Sequence, residues 1–368
     1  MAKLDCALVF AIIWTVHSGL VHYRSPFQLR SQFPGHSVRI GFMIPHSKPF
    51  LGAEEQEAAA RVLASGRLAE GEETAAFERE CAAFCGRRYG IAVSSGTAAL
   101  HLALGALGVG AGDSVAMPSY ACAALLTAVR LQGADAILCD VDDALGLEPS
   151  AVPGQCAAAI AAHMFGARAR MPRHDAVVED IAQRFDGSAG RATRIAVTSF
   201  YATKLITTGE GGMVFADDPD LEAYVRDRHS YDNRDDFIAR YPYKMTDFQA
   251  AVGRVQLRRL PAFLDRRRRI AAAYNEAFAD LPLRLPDLSD HACFRYVVAT
   301  PRRDALEAHL AARGIEAKRP VYRPAHHYLG GAYPNAERAH DELLSLPIYP
   351  ALIDAEIGHV IESVRRFF

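Results

Sequence analysis

Seven short apolar runs within about 130 residues limit this chain more than any other feature. They cover 89–93, 114–117, 136–140, 157–162, 177–179, 194–200 and 212–215, and helical or small-residue segments separate them. β-rich runs that are apolar on both faces, with helices between them, predict a largely parallel sheet covered on both sides. In such a sheet ligands sit beyond the carboxyl ends of the strands. The residues falling there are Ser95-Gly96-Thr97, Pro118-Ser119-Tyr120, His163, Asp180 and Ser199, so the candidates share one edge.

Helices are predicted over 52–63, 72–85, 98–107 and 120–131, and over 246–278 with a restart at Leu260-Pro261, since proline suits a helix's first turn. Pro282 and Pro286 mark a linker. Beyond it a strand (294–299), a helix (303–312), a strand (315–322) and helices over 337–344 and 354–367 form a smaller α/β unit. The expected division is 43–280 for a large domain and 281–368 for a small one. Residues 1–42 read as a leader, either a mis-called start with the functional chain beginning near Met43 or a signal-like segment: the apolar run 6–16 is too short to span a bilayer, and no cleavage signature follows it.

Composition narrows the function. The 368 residues hold 41 basic and 43 acidic side chains, a net charge of −2, which points to neither a nucleic-acid nor an anionic-membrane partner. The seven cysteines (6, 81, 85, 122, 139, 156, 293) form no CxxC framework and no metal-ligand set. Unpatterned thiols in odd number favour a reducing, cytoplasmic compartment.

Chemistry concentrates in two stretches. Ser199 to Gly212 delivers one lysine, Lys204, between two apolar runs and ends in three glycines. A lysine desolvated in such a place can lose its proton and form a Schiff base with a carbonyl. Glu179-Asp180-Ile181-Ala182-Gln183 presents an acid leaving a strand and an amide three residues on. The carboxylate can keep a ring nitrogen protonated and the amide can donate to a ring oxygen. Ser95-Gly96-Thr97, between a strand and a helix start, is an anion-binding layout, though alone it is equally an ordinary helix cap. Lysine, acid, amide and anion cradle together describe a site for pyridoxal phosphate.

These motifs, with His163-Met164-Phe165-Gly166, Tyr243 to Ala251 and Leu346 to Pro350, resemble the DegT/StrS family of pyridoxal-phosphate-dependent sugar aminotransferases, of the aspartate aminotransferase fold (type I). The resemblance runs from about Met43 to the C-terminus. It implies a mostly parallel seven-stranded large domain, a smaller C-terminal α/β domain and a homodimer with composite sites. It further implies that Lys204 carries the cofactor and shuttles the proton, that Asp180 pairs with the ring nitrogen, and that Gln183 lies against the ring or its oxygen. Gly96, Thr97 and Ser199 hold the phosphate. The reaction implied moves an amino group from an amino acid, glutamate being the usual donor, to a keto-sugar, normally nucleotide-linked, in amino-sugar and polysaccharide biosynthesis.

Two departures stand out. Where the family places threonine and a ring-stacking aromatic after Pro118-Ser119-Tyr120, this chain has Ala121-Cys122, so either Tyr120 stacks or smaller contacts such as Cys122 hold the ring. Where the family reaches the neighbouring phosphate with an asparagine, this chain offers Lys244. His163, His326 and His327 are candidate substrate contacts. A sugar dehydratase of the same family and a non-catalytic cofactor-binding protein are the competing readings, and the retained Lys204 argues against both. The sugar, its ring position and the nucleotide are not encoded in these motifs.

Overall fold

The structure, a computed structural model, describes residues 43–368; the expected leader lies outside the described residues. Seven strands form the large sheet: β1 (Tyr89–Val93), β2 (Ser114–Pro118), β3 (Asp135–Cys139), β4 (Ala158–Ala162), β5 (Val177–Asp180), β6 (Ile195–Ser199) and β7 (Gly212–Ala216). Their order is β1-β7-β6-β5-β4-β2-β3. The pairings β2–β3, β2–β4, β4–β5 and β5–β6 are parallel, while β7 is antiparallel to both β6 and β1. Only β7 runs against the rest, so six strands deliver their carboxyl ends to one edge. Buried side chains alternate to both faces of the central strands, which requires cover on both sides.

Helix α1 (Ala53–Ser65) and α2 (Glu72–Cys85) pack on the long helix Asp247–Phe278, α3 (Gly96–Ala106) lies on β6 and β7, and α4 (Ala123–Leu131) follows β2. The last begins three residues later than the apolar pattern suggested, because Ser119 to Cys122 form the turn leaving β2, with Ser119 N donating to Cys139 O. Helix α5 (Pro219–Arg228) went unread in the sequence, although Asp218 caps it and Pro219 opens it.

Helix α6 (Asp247–Phe278) corrects another expectation. It passes through Pro261 without restarting. The proline ring faces solvent, and Leu257, Leu260, Phe263 and Leu264 are buried on either side of it. Burying a stripe of large apolar side chains stabilises by several kcal/mol, which outweighs the ~3 kcal/mol that an interior proline costs.

Beyond α6 a second sheet pairs β8 (Tyr296–Ala299) antiparallel with β9 (Leu343–Leu346), flanked by α7 (Arg303–Ala311), α8 (His326–Leu329), α9 (Pro334–Glu342) and α10 (Asp354–Arg365). The strand expected over 315–322 is absent. Ile315 and Lys318 make only single bridges, to Ile44 and Ser345, and Pro320 removes a ladder donor. The helix expected over 337–344 starts at Pro334 and yields Leu343 and Leu344 to the ladder with β8. Asp140, at the end of β3, accepts from Asn335 N and Ala336 N and so ties the start of α9 to the large sheet. No helix among the described residues is long and apolar enough to cross a membrane.

Candidate active site

The segment leaving β6 folds back on itself. Phe200 N donates to Gly211 O, Thr208 N donates to Phe200 O, and Lys204 N donates to Tyr201 O, so the lysine rides on a turn stapled at its base. Gly209 takes a left-handed φ of 81°. Gly212 is required by proximity instead, since a Cβ there would lie 2.4 Å from Ser95 O. The loop is thereby pressed against the start of α3. A ring contact of 5.0 Å between Phe200 and Phe77 of α2 fixes it from behind.

At the facing helix end, Ser95 caps α3 by accepting from Ala98 N. The amides of Gly96 and Thr97, in the first turn, have no intrahelical acceptor. Gly96 abuts β6 so closely that a Cβ would meet Ser199 Cβ at 2.8 Å. Two unpaired N–H groups, the positive end of α3 and the Ser199 hydroxyl thus share one small space, a fitting cradle for phosphate.

Asp180 ends β5 beside them. One carboxylate oxygen accepts from Ala182 N at 2.9 Å, and the other has no partner among the described residues. Burial pushes the Asp180 carboxyl up from its ordinary range, opposed by the Ala182 amide and by the charges of Lys204 and His163. Burial also lowers Lys204, and Arg295 adds to this, while Asp180 and Cys122 oppose it. An acid with one open oxygen and an amine whose protonation burial disfavours are what a pyridinium and a reactive aldehyde require. The residues present therefore fit pyridoxal phosphate. Gln183 accepts from Phe165 N through Oε1, leaving its amide hydrogens only a sulfur contact to Met164 at 3.7 Å.

Other expected contacts lie elsewhere. Tyr120 is wholly buried, edge-on to Phe165, with no open face to stack on a ligand. The size of its ring explains this, because burying it inside the fold is worth more than displaying it in a cleft. The exposed thiol of Cys122 is the member of that turn that comes near Lys204. His163 is also buried, its Nε2 3.0 Å from Glu179 Oε1 and its Nδ1 accepting from Ala169 N, so both ring nitrogens are spent inside the protein rather than on a substrate. His326 is buried against Ser119 O, and both it and His327 pair with Glu337, at 3.1 and 3.3 Å. The ammonium of Lys244 pairs with Asp232, and its backbone bridges to Val93 at the end of β1. Within this chain it does not join the Gly96–Ser199 cradle.

Two site residues escaped the sequence reading. The Phe294 ring centroid lies 5.3 Å from Lys204 Nζ and 4.6 Å from Arg295 Cζ. The available signal was a lone cation inside the apolar run Phe294 to Ala299.

Comparison with known proteins agrees with this geometry. Residues 49–365 match the model of the DegT/DnrJ/EryC1/StrS aminotransferase family. The spore coat polysaccharide biosynthesis protein SpsC of Bacillus subtilis (strain 168) is 33% identical, over 88% of this chain and 96% of its own length. The crystal structure of S. venezuelae DesV in complex with a ketimine intermediate superposes with a TM-score of 0.81 at 33% identity, covering 88% of this chain and 98% of that one. The aminotransferase TlmJ from Streptoalloteichus hindustanus gives 0.80 at 30% identity, covering 88% and 98%. The chain belongs to the DegT/DnrJ/EryC1/StrS family and is a pyridoxal-phosphate-dependent aminotransferase of fold type I.

Proposed function

We propose that the protein transfers an amino group from glutamate to a keto-sugar carried on a nucleotide, with Lys204 and Asp180 as its catalytic residues. Asp180, its one open oxygen beside the buried amine of Lys204 at the strand ends, is the observation that supports this reading most. The similarity to SpsC, a polysaccharide biosynthesis protein, supports a sugar as acceptor.

The contacts support these roles. Gly96 N–H, Thr97 N–H and Ser199 Oγ would bind the cofactor phosphate, and Asp180 would pair with the ring nitrogen. Gln183 Nε2 would be free to donate toward the ring oxygen. The cofactor, when bound, supplies an electron sink for the carbanion left when the donor loses its Cα proton. Lys204 Nζ, its protonation disfavoured by burial, takes that proton, and in the return half-reaction gives one to the sugar carbon that receives the amine.

Lys244 acts across a homodimer boundary in this reading. The surrounding segment exposes Tyr231, Phe237, Ile238 and Phe248, large apolar side chains suited to a subunit contact. The six described cysteines are all free thiols, which fits a reducing cytoplasm.

The test is spectroscopic. Purified protein given pyridoxal phosphate should develop a visible absorbance band that glutamate removes, and Lys204→Ala should show no such band. The pyridoxamine-phosphate form is then offered nucleotide-linked and free keto-sugars, and return of the band identifies the acceptor. A band that glutamate leaves untouched would rule out that donor, and wild-type protein that develops no band would rule out the enzyme reading.

A further inference from the structure

We propose that Arg295 is a carboxylate-binding residue of the active site, receiving an acidic group of one of the two substrates in a two-pronged contact. The inference rests on the aminotransferase reading and adds to it which substrate chemistry the pocket selects.

The placement of Arg295 is the first argument. Its guanidinium lies over the ring of Phe294 at 4.6 Å, and Lys204 Nζ lies 5.3 Å from the same centroid. One aromatic side chain thus carries both cations, and Arg295 is among the charges that disfavour protonation of Lys204. Its backbone is fixed as well, since Arg295 N donates to Phe165 O, and Phe165 N in turn donates to Gln183. The residue is therefore joined to the floor of the site on one side and to Lys204 on the other.

Its lack of a partner is the second argument. Among the described residues the guanidinium makes one long contact, Nη1 to His46 Nδ1 at 3.5 Å, and pairs with no carboxylate. Other enclosed arginines among the described residues have close acceptors for their terminal nitrogens, although the Nε atoms of Arg184 and Arg267 are buried without a partner. Arg184 pairs with Asp290 and Asp186, and Arg267 donates to the carbonyls of Phe294 and Ile348. His46 supplies no counter-charge, because burial, Arg295 and Lys318 lower it to about 3 and leave it neutral. Burial draws Arg295 down to about 10, so it remains a cation at neutral pH. A desolvated, unpaired cation is costly to keep unless something pairs with it in use.

Geometry favours a carboxylate as that partner. A planar guanidinium seated on an aromatic face offers two parallel N–H groups in its own plane, which match the two oxygens of a carboxylate. Two substrates could bring one: the amino-acid donor, or a sugar acceptor bearing an acid group.

The experiment uses the pyridoxal-phosphate-loaded protein, two unreactive probes (glutarate and glucuronate), and the variants Arg295→Met and Arg295→Lys. Dissociation constants are measured by calorimetry, and thermal melts verify that each variant is folded. If the donor brings the acid, glutarate binding weakens by about 10²-fold in Arg295→Met, recovers in part in Arg295→Lys, and the KM for glutamate follows. If the sugar brings it, glucuronate binding falls instead. Equal binding of both probes to wild type and folded Arg295→Met, or no binding of either to wild type, would overturn the proposal. A wild-type protein without its visible cofactor band would instead count against the aminotransferase reading, and that result is separate from probe binding.

Discussion

Glu179 and Asp180 are consecutive carboxylates on one strand, both buried, yet the structure uses them in opposite ways. Glu179 is saturated: it accepts from Gly190 N at 2.8 Å and Ala192 N at 3.0 Å and pairs with His163. Although burial opposes ionisation, these contacts together bring its carboxyl below the ordinary value. Asp180 accepts one backbone bond, and burial prevails, raising it. Strand alternation sends the two side chains to opposite faces, one toward a loop that can satisfy it and one toward the ligand edge. Burial alone does not distinguish the two acids; open hydrogen-bonding capacity does.

The sharpest way to break this contrast starts at the partner of Asp180. Lys204→Ala should cost at least about 10⁴-fold in turnover with the fold intact, read by steady-state assay beside a thermal melt. Asp180→Asn comes next, with a loss of about 10²- to 10³-fold in kcat/KM. The same change should raise cofactor-free stability at pH 7 by about 0.5–2 kcal/mol, because it removes a desolvated charge. If Asp180→Asn destabilised the protein instead, Asp180 would be structural after all.

Glu179→Gln should show the reverse signature. Two backbone donors and His163 lose an ionised partner, so stability falls by about 1–3 kcal/mol while the folded fraction keeps its turnover. Denaturant titration and active-site-normalised rates separate these effects. Activity lost at unchanged stability would erase the distinction between the two acids.

The smallest effect concerns pH. Glu179 is depressed in the folded protein, so its contribution is present above the ordinary carboxylate value and is lost as pH falls through the folded one. Asp180 is raised, so its penalty is absent in acid and grows as pH climbs through its folded value. Glu179→Gln should therefore flatten the acid limb of the stability curve, and Asp180→Asn should lift its neutral end. Identical shapes for both variants would show that neither shift has the sign assigned to it.

What could be read without coordinates was mostly local. The β1 and α2 boundaries, the parallel core and the convergence of Ser95, Asp180, Ser199 and Lys204 follow from apolar periodicity and from where short hydroxyl and glycine turns interrupt it. These signals span a few residues, and strand direction brings their ends to one edge. Pro261 and the run 315–322 show the limit, because packing carried one helix through a proline and sheet pairing left the other segment without a partner strand.

The sequence by itself determined the sheet, the position of Lys204 between two strands and the family-like motif set, since each is written in neighbouring residues. Only the tertiary structure decided which polar groups are already satisfied. It withdrew Tyr120 and His163 into the interior, paired Lys244 with Asp232, and left Arg295 unpaired beside Lys204. Whether a side chain is available for chemistry depends on which partners the fold brings to it, from 12 residues away for Lys244 and 16 for His163 to 249 for Arg295, and no local pattern records them.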